Sequence, residues 1–341
     1  MITPVYRQQI THESAWTGPS VGGKAGLSVP LPAPALAAIA ELVKRTEGKP
    51  TLDLTLADFS HPDLDPFLAG VKKIILQGKG IAVITGVTRA QFDEQQFERL
   101  YYGIGRHLGV AVMQSHQGDR IGYVQADPSY PVDRGYLSNV ELSLHTDTHE
   151  ILGLMGVRQA AEGGATRMAS SLSVHNAILA ERPDLLEVLY EGYYYSTPEM
   201  RHFGGQTVTK EKIPVFSNVD GKVSCHFLGG FMVKAAEQMG TELPPLLTEA
   251  IAYFRATSER DDIRTTFMLE PGEMMLWSNY TVLHARYAFK DTQEQRRLLY
   301  RLWMDVPDVM ARPICPELAS RIMHYDKFEQ QIREKKLQPA Q

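Results

Sequence analysis

"LSLHTDTHE", residues 142–150, places His145, Asp147 and His149 at every second position. Along an extended strand, alternate side chains point to the same side of a sheet. Three groups of metal-ligand type would then converge on one small volume. The chain carries only 11 histidines in 341 residues, so this crowding poses a choice. It is either part of a metal site completed from elsewhere or the accident of a polar strand end, and a His-x-Asp pair alone does not decide.

The texture around the stretch is that of a β protein. Beyond residue 108 short β-rich segments follow one another: "LSLHTD", "ILGLMGV", "ATRMASS", "EGYYYS", "PVFSNV", "KVSCHFL", "FMLEPGEMMLWSN" and "RLLYRLWMD". Asp220-Gly221 predicts a hairpin turn between two of them, and Pro271-Gly272 predicts another turn. Helices are expected at about 174–190 and 243–257. Upstream, "ALAAIAELVKR" sets Leu36, Ile39, Leu42 and Val43 on one helical face, ended by Gly48 and Pro50. A second helix, "DPFLAGVKKIILQGKG", stops at its glycines and leads into a buried strand over 81–87. Thr88 with Gln91 has the form of a capping box and predicts a helix over about 89–108, with Phe92, Phe97, Tyr101 and Ile104 inward. Residues 1–34, rich in Gly, Pro and Ser, read as an irregular surface arm. Many short strands with Gly/Pro turns, wrapped by a few helices, point to a jelly-roll-type double sheet.

Composition narrows the function classes. An apolar share of 43% in a chain of this length can bury a full core. A net charge of −5, with no run of five or more like charges, argues against a nucleic-acid partner. The two cysteines, Cys225 and Cys315, have no CxxC spacing and suggest a reducing compartment. The first residues contain no apolar signal core, and no stretch approaches the ~18 apolar residues of a membrane span. A soluble cytoplasmic protein is expected.

The third metal ligand should come from a distant segment, because a jelly roll brings remote strands together. "MMLWSNYTVLHARYAF" offers His284 after an apolar strand and an "SNY" turn. His145, Asp147 and His284 make a two-His, one-carboxylate face, which leaves adjacent positions open and suits non-haem Fe(II) oxygen chemistry. His149 competes as a ligand, although three ligands in one strand do not readily wrap around one face of an ion. His226 reads as a packed histidine and His175 as a surface or capping residue on a helix. His12, His61, His107, His116, His202 and His324 have no ligand-type neighbour at useful spacing.

"LSLHTDTHEILGLMGVRQAAEGGATRMASS", with "VLHARYAF" and "RRLLYRLW" downstream, closely resembles the taurine dioxygenase-like (TauD/TfdA) family of Fe(II)/2-oxoglutarate-dependent oxygenases. The resemblance covers roughly residues 75–305. It rests on four elements in the family's order: HTD, GG-x-T, the distal His and an Arg-x3-Arg after it. It implies a mainly β fold with flanking helices, a double-stranded β-helix of the clavaminate synthase-like kind. The expected organisation is an N-terminal arm and helix over 1–60, the oxygenase domain over 61–310 and a C-terminal helical tail over 311–341.

The resemblance also implies roles. His145, Asp147 and His284 match the iron ligands, and Thr166 matches a threonine that helps hold 2-oxoglutarate. Arg297 matches the arginine that anchors the co-substrate's distal carboxylate. The chemistry of the residue type agrees, since a planar guanidinium meets a carboxylate with two parallel hydrogen bonds. In "RRLLYRLWMD", Arg297, Leu299, Arg301 and Trp303 alternate onto one face and leave Arg296, the rival anchor, on the other. Arg301 matches an arginine that contacts the substrate's acidic group in the taurine dioxygenase branch. The implied cofactors are Fe(II), 2-oxoglutarate and O2. The implied reaction decarboxylates 2-oxoglutarate to succinate and hydroxylates, or otherwise oxidises at C–H, a small substrate, with an anionic or amino-acid-like one favoured. Asp147 stands where related halogenases carry a small residue, which favours hydroxylation. No general base is expected. Segments 127–139 and 196–212 are candidate approaches to the site, the second with the composition of a lid. Two alternatives remain at this stage: a zinc hydrolase or isomerase on a jelly roll, which has no use for Thr166 together with Arg297, and a metal-dependent small-molecule sensor without turnover.

Overall fold

The computed structural model describes residues 4–115, 117–127, 137–198, 200, 205–307 and 309–337. Two sheets face one another. The larger runs, strand beside strand, Ser28–Pro30, Ile81–Thr85, Met274–Ser278, Ile151–Arg158, Leu298–Asp305 and Val110–Ala111, with Gly122–Val124 also pairing to Leu298–Asp305. The smaller runs Arg264–Phe267, Thr166–Ser170, Val282–Arg286 and Leu142–His145.

Alternation along the strands sorts the apolar side chains into three cores. Ala82, Ile84, Met155, Leu276, Tyr300, Leu302 and Met304 face outward from the larger sheet. There they meet the helices Ala33–Arg45, Asp65–Gln77 and Glu94–Leu108. Leu144, Ala169, Leu283 and Ala285 face outward from the smaller sheet. They pack under the helices Ser171–Glu181, Asp184–Glu191, Gly229–Gln238 and Pro245–Ser258. Between the sheets lie Val83, Leu152, Met168, Phe267, Met275, Trp277, Val282 and Leu299. The fold is a double-stranded β-helix with a helical layer on each side, and the inter-sheet space holds the candidate site.

Local chemistry explains most boundaries. Asp220 (φ 53°) and Gly221 (φ 77°) both take the left-handed conformation that a type I′ hairpin turn requires, so Phe216–Val219 pairs with Lys222–Cys225. The helix expected from residue 89 begins at Glu94. Asp93 is its N-cap, in a capping box with Gln96. Thr88 does bond Gln91, with its N–H 3.0 Å from Oε1, but that contact closes a turn ahead of the helix. The helix expected over 174–190 is two helices, parted at Arg182-Pro183 because proline disfavours helix at the residue before it.

Other expectations fail on packing. Residues 14–30 are no surface arm. Trp16, Val21 and Leu27 are buried in the inter-sheet core, the Trp16 indole N–H donates to the Lys79 carbonyl, and Ser28–Pro30 adds a parallel strand beside Ile81–Thr85. That addition covers a sheet edge that would otherwise stand open, and no composition count shows it. His175 is fully buried beside Tyr190, whose hydroxyl lies 3.0 Å from its Nε2. Burial pushes its pKa down to about 4. The C-terminal segment forms the helix Pro316–Leu337. Most of the 127–139 approach, residues 199 and 201–204 of the 196–212 segment, His116 and His202 lie outside the described residues, as does the side chain of His324.

Candidate metal centre and co-substrate cleft

The strand Leu142–His145 ends at its histidine, and pairing with Val282–Arg286 sets His145 directly opposite His284. Their rings are 4.3 Å apart between centroids. The chain then leaves the sheet. Thr146 is pinned to Phe227 in both directions, its N–H to the Phe227 carbonyl at 3.0 Å and its Oγ1 accepting the Phe227 N–H at 2.8 Å. The Asp147 N–H donates to Asn279 Oδ1 at 2.8 Å. These bonds turn the Asp147 carboxylate back toward the two imidazoles. His145 Nε2 and His284 Nε2 stand 3.9 and 3.6 Å from the Asp147 oxygens, and one ligand atom from each of the three lies within 4.8 Å of the others.

This donor set fits a divalent ion. His145 Nδ1 is 2.7 Å from the Ser143 carbonyl. A carbonyl only accepts, so Nδ1 carries the proton and Nε2 presents its lone pair inward. Burial, with the charges of His145 and Arg301, holds the His284 pKa well below the usual imidazole range, so the ring is neutral, the form that binds metal. Among the described residues, buried Asp147 Oδ2 has no hydrogen-bond partner. An orphaned carboxylate oxygen between two imidazole nitrogens is costly unless a cation answers it.

His149 is not part of the cluster. Beyond His145 the chain is no longer a strand, so the every-second-residue rule stops applying. His149 is instead buried with Nδ1 2.9 Å from Asp305 Oδ1, its ring beside Trp303. His226 is packed as expected, buried against the Tyr195 ring at 5.1 Å. Asn279, in the "SNY" turn, escaped the sequence reading. Only the folded chain shows that it holds Asp147.

The remaining expected residues lie on or next to strands of the two sheets that flank the triad. Thr166 is buried at the start of Thr166–Ser170, between Phe267 and Arg286 in register. Arg297 is 3% exposed, and its Nη1 has no hydrogen-bond partner among the described residues. Gly164 (φ 82°) makes room for it, since a Cβ there would stand 3.3 Å from Arg297 Nε. The Gly-Gly-x-Thr motif therefore serves the arginine as well as the turn. Arg296 is exposed, with Nη2 on the Ala126 carbonyl, and does not enter the cleft. Arg301 lies on the inter-sheet face as its parity predicts. It is half-buried, with Nε donating to Gln114 Oε1 at 2.6 Å and its guanidinium 4.8 Å from the Trp303 ring.

Residues 44–303 match the family described as "Taurine catabolism dioxygenase TauD, TfdA family". The chain belongs to the TauD/TfdA dioxygenase family. The match starts some thirty residues before the resemblance visible by eye. The FR-33289 synthase of Streptomyces rubellomurinus is 28% identical over 283 residues, covering 78% of this chain and 82% of that protein. Among solved structures, asparagine oxygenase with Fe(II), 2S,3S-3-hydroxyasparagine and succinate superposes with a TM-score of 0.65 at 14% identity. That likeness covers 82% of this chain and 93% of the other. The non-haem iron oxygenase OrfP with Fe and alpha-ketoglutaric acid gives 0.60 at 18% identity, covering 83% and 95%. At such identities the two structures speak for the fold. The family speaks for the chemistry: this TauD/TfdA protein is an Fe(II)/2-oxoglutarate-dependent dioxygenase. The hydrolase, isomerase and sensor alternatives fall with that membership.

Proposed function

We propose that His145, Asp147 and His284 hold the iron, that Arg297 and Thr166 seat 2-oxoglutarate, and that Arg301 meets an anionic group of a small, amino-acid-like substrate. The observation that carries this reading is the His145–Asp147–His284 cluster with its orphaned carboxylate oxygen, beside a buried arginine whose Nη1 is unanswered. When bound, iron and 2-oxoglutarate supply the oxidising chemistry: O2 is consumed, succinate and CO2 leave, and a substrate C–H bond is hydroxylated. The chain's own part is to bind, orient and keep water out. Ser143 fixes the His145 tautomer, Asn279 holds Asp147, and Met168, Trp277 and Leu299 make a dry wall. The Trp277 ring lies 4.8 Å from that of His284 and limits its rotation.

Several features support the finer points. Asparagine oxygenase and OrfP carry hydroxyasparagine and (3S)-hydroxy-L-Arg in their solved structures, which favours an amino-acid-like substrate. Net charge of −5 favours a small molecule over a nucleic acid, and two buried free thiols suit the cytoplasm. No described helix is long and apolar enough to cross a membrane. We take residues 61–310 as the catalytic unit, with 1–60 and 311–341 as flanking segments.

Anaerobic addition of 2-oxoglutarate to the Fe(II)-loaded protein should raise a visible charge-transfer band, and admitting air with a substrate should release succinate. Zinc-supported turnover, or turnover without air, would contradict the proposal. The substrate assignment has its own test in Arg301→Gln. Losing a charge-assisted hydrogen bond worth roughly 1.5–3 kcal/mol should raise KM for acidic substrates about tenfold or more and leave KM for 2-oxoglutarate nearly unchanged. The measurement is substrate-triggered 2-oxoglutarate consumption across small acids, amino acids and neutral compounds. If only uncharged compounds trigger it, and Arg301→Gln uses them normally, the anionic-substrate assignment fails.

A further inference from the structure

Arg286 lies two residues beyond His284 and directly opposite Thr166 in register. Opposed residues of an antiparallel pair project from the same face. Arg286 therefore shares the inter-sheet face with His284, Thr166, Met168 and Phe267. It is 5% exposed, and its Nη2 donates to the carbonyls of Ser138 at 2.8 Å and Val140 at 2.6 Å. Among the described residues, its Nε and Nη1 have no hydrogen-bond partner.

Arg297 comes from the residue just before Leu298–Asp305 of the opposite sheet and meets it at one ring. The two guanidiniums lie 4.7 and 5.1 Å from the Phe289 centroid. Burial together with the Arg286 charge pushes the Arg297 pKa down to about 9. Asp291 opposes that shift and accepts the Arg297 backbone N–H at 2.9 Å. Among the described residues, two cations against one carboxylate leave an excess positive charge in a dry interior, next to three donor nitrogens without acceptors. Clasping the Ser138 and Val140 carbonyls explains Nη2 alone. One further carboxylate would balance the charge and answer the donors.

We propose that Arg286 is a second cationic contact for the distal carboxylate of 2-oxoglutarate, so that an arginine pair closes this end of the cleft. The inference rests on Arg297 being the anchor. A ligand with a neutral far end would leave the pair uncompensated, so the pair selects a 2-oxo diacid over a 2-oxo monoacid. The test compares dissociation constants for 2-oxoglutarate and 2-oxopentanoate, which lacks the distal carboxylate, by anaerobic titration of the Fe(II)-loaded protein. Arg286→Gln should weaken 2-oxoglutarate tenfold or more and leave 2-oxopentanoate within about twofold. If Arg286→Gln does not fold, Arg286→Lys, which keeps the charge but not the planar fork, makes the same comparison with a smaller expected loss. An unchanged constant for 2-oxoglutarate, or an equal weakening of both acids, overturns the proposal and leaves Arg286 a clasp for the 138–140 segment. Arg297→Gln run in parallel separates the two assignments. If it weakens 2-oxoglutarate while the Arg286 variants do not, only the pair is wrong; if it has no effect, the anchor itself is wrong.

Discussion

Alanine at His145, Asp147 or His284 should each reduce iron-dependent decarboxylation of 2-oxoglutarate by a hundredfold or more, while the metal-free chain keeps its stability. The size follows from outer-sphere changes, which already cost roughly 10–100-fold in metal affinity or activity; a missing donor must cost at least as much. The stability half follows from what the groups do without metal. Asp147 Oδ2 and His284 Nδ1 are buried with no hydrogen-bond partner, and removing an unanswered buried polar group relieves a desolvation penalty. Asp147→Ala should therefore leave the metal-free melting temperature unchanged or raise it, whereas added Fe(II) should raise it only in the parent. His149→Ala is the contrasting variant. It breaks the contact to Asp305 and should lower the melting temperature without abolishing iron binding. If His149→Ala loses iron and His284→Ala retains it, the ligand assignment is wrong.

The same residues show what a sequence can and cannot disclose. Alternation along "RLLYRLWMD" places Leu298, Tyr300, Leu302 and Met304 against the helices and Leu299, Arg301 and Trp303 toward the site. Parity could be read because both faces of that strand are packed and a one-residue slip would reverse every side chain. Parity misleads at His149, where the strand has already ended. In "HAR" the same step of two leads from His284 to Arg286. Even so, parity gives only direction. That Arg286 keeps two unanswered donors, while Arg301 rests on Gln114, depends on neighbours from residues 114, 138–140 and 289. The N-terminal residues are misread for a related reason. Trp16, Val21 and Leu27 are buried by contact with a sheet edge that is assembled from strands far along the chain, and a Gly- and Pro-rich local composition hides that.

Arg297→Lys should raise KM for 2-oxoglutarate by roughly ten- to a hundredfold and leave KM for the substrate little changed. Arg297 reaches the cleft past Gly164, where even a Cβ would crowd its Nε, and lies against Phe289. A planar guanidinium can fill that slot and present parallel N–H groups, whereas an ammonium is a point donor with a strong demand for hydration. Each charge-assisted hydrogen bond is worth roughly 1.5–3 kcal/mol, so losing one of two gives the stated range. Two controls make the assignment specific. Arg296→Lys alters an exposed contact to the Ala126 carbonyl and should leave both constants alone. Arg297→Gln, which removes the charge, should exceed Arg297→Lys and also abolish the thermal stabilisation that 2-oxoglutarate gives the metal-loaded protein. A large rise for Arg296→Lys with none for Arg297→Lys would move the anchor one residue upstream, onto a side chain that the fold turns toward solvent. Because burial and the Arg286 charge already depress the Arg297 pKa, the bound carboxylate should raise it again, and 2-oxoglutarate affinity should fall as pH rises through about 9. That fall should be absent for 2-oxopentanoate, whose far end carries no charge for the arginine to meet.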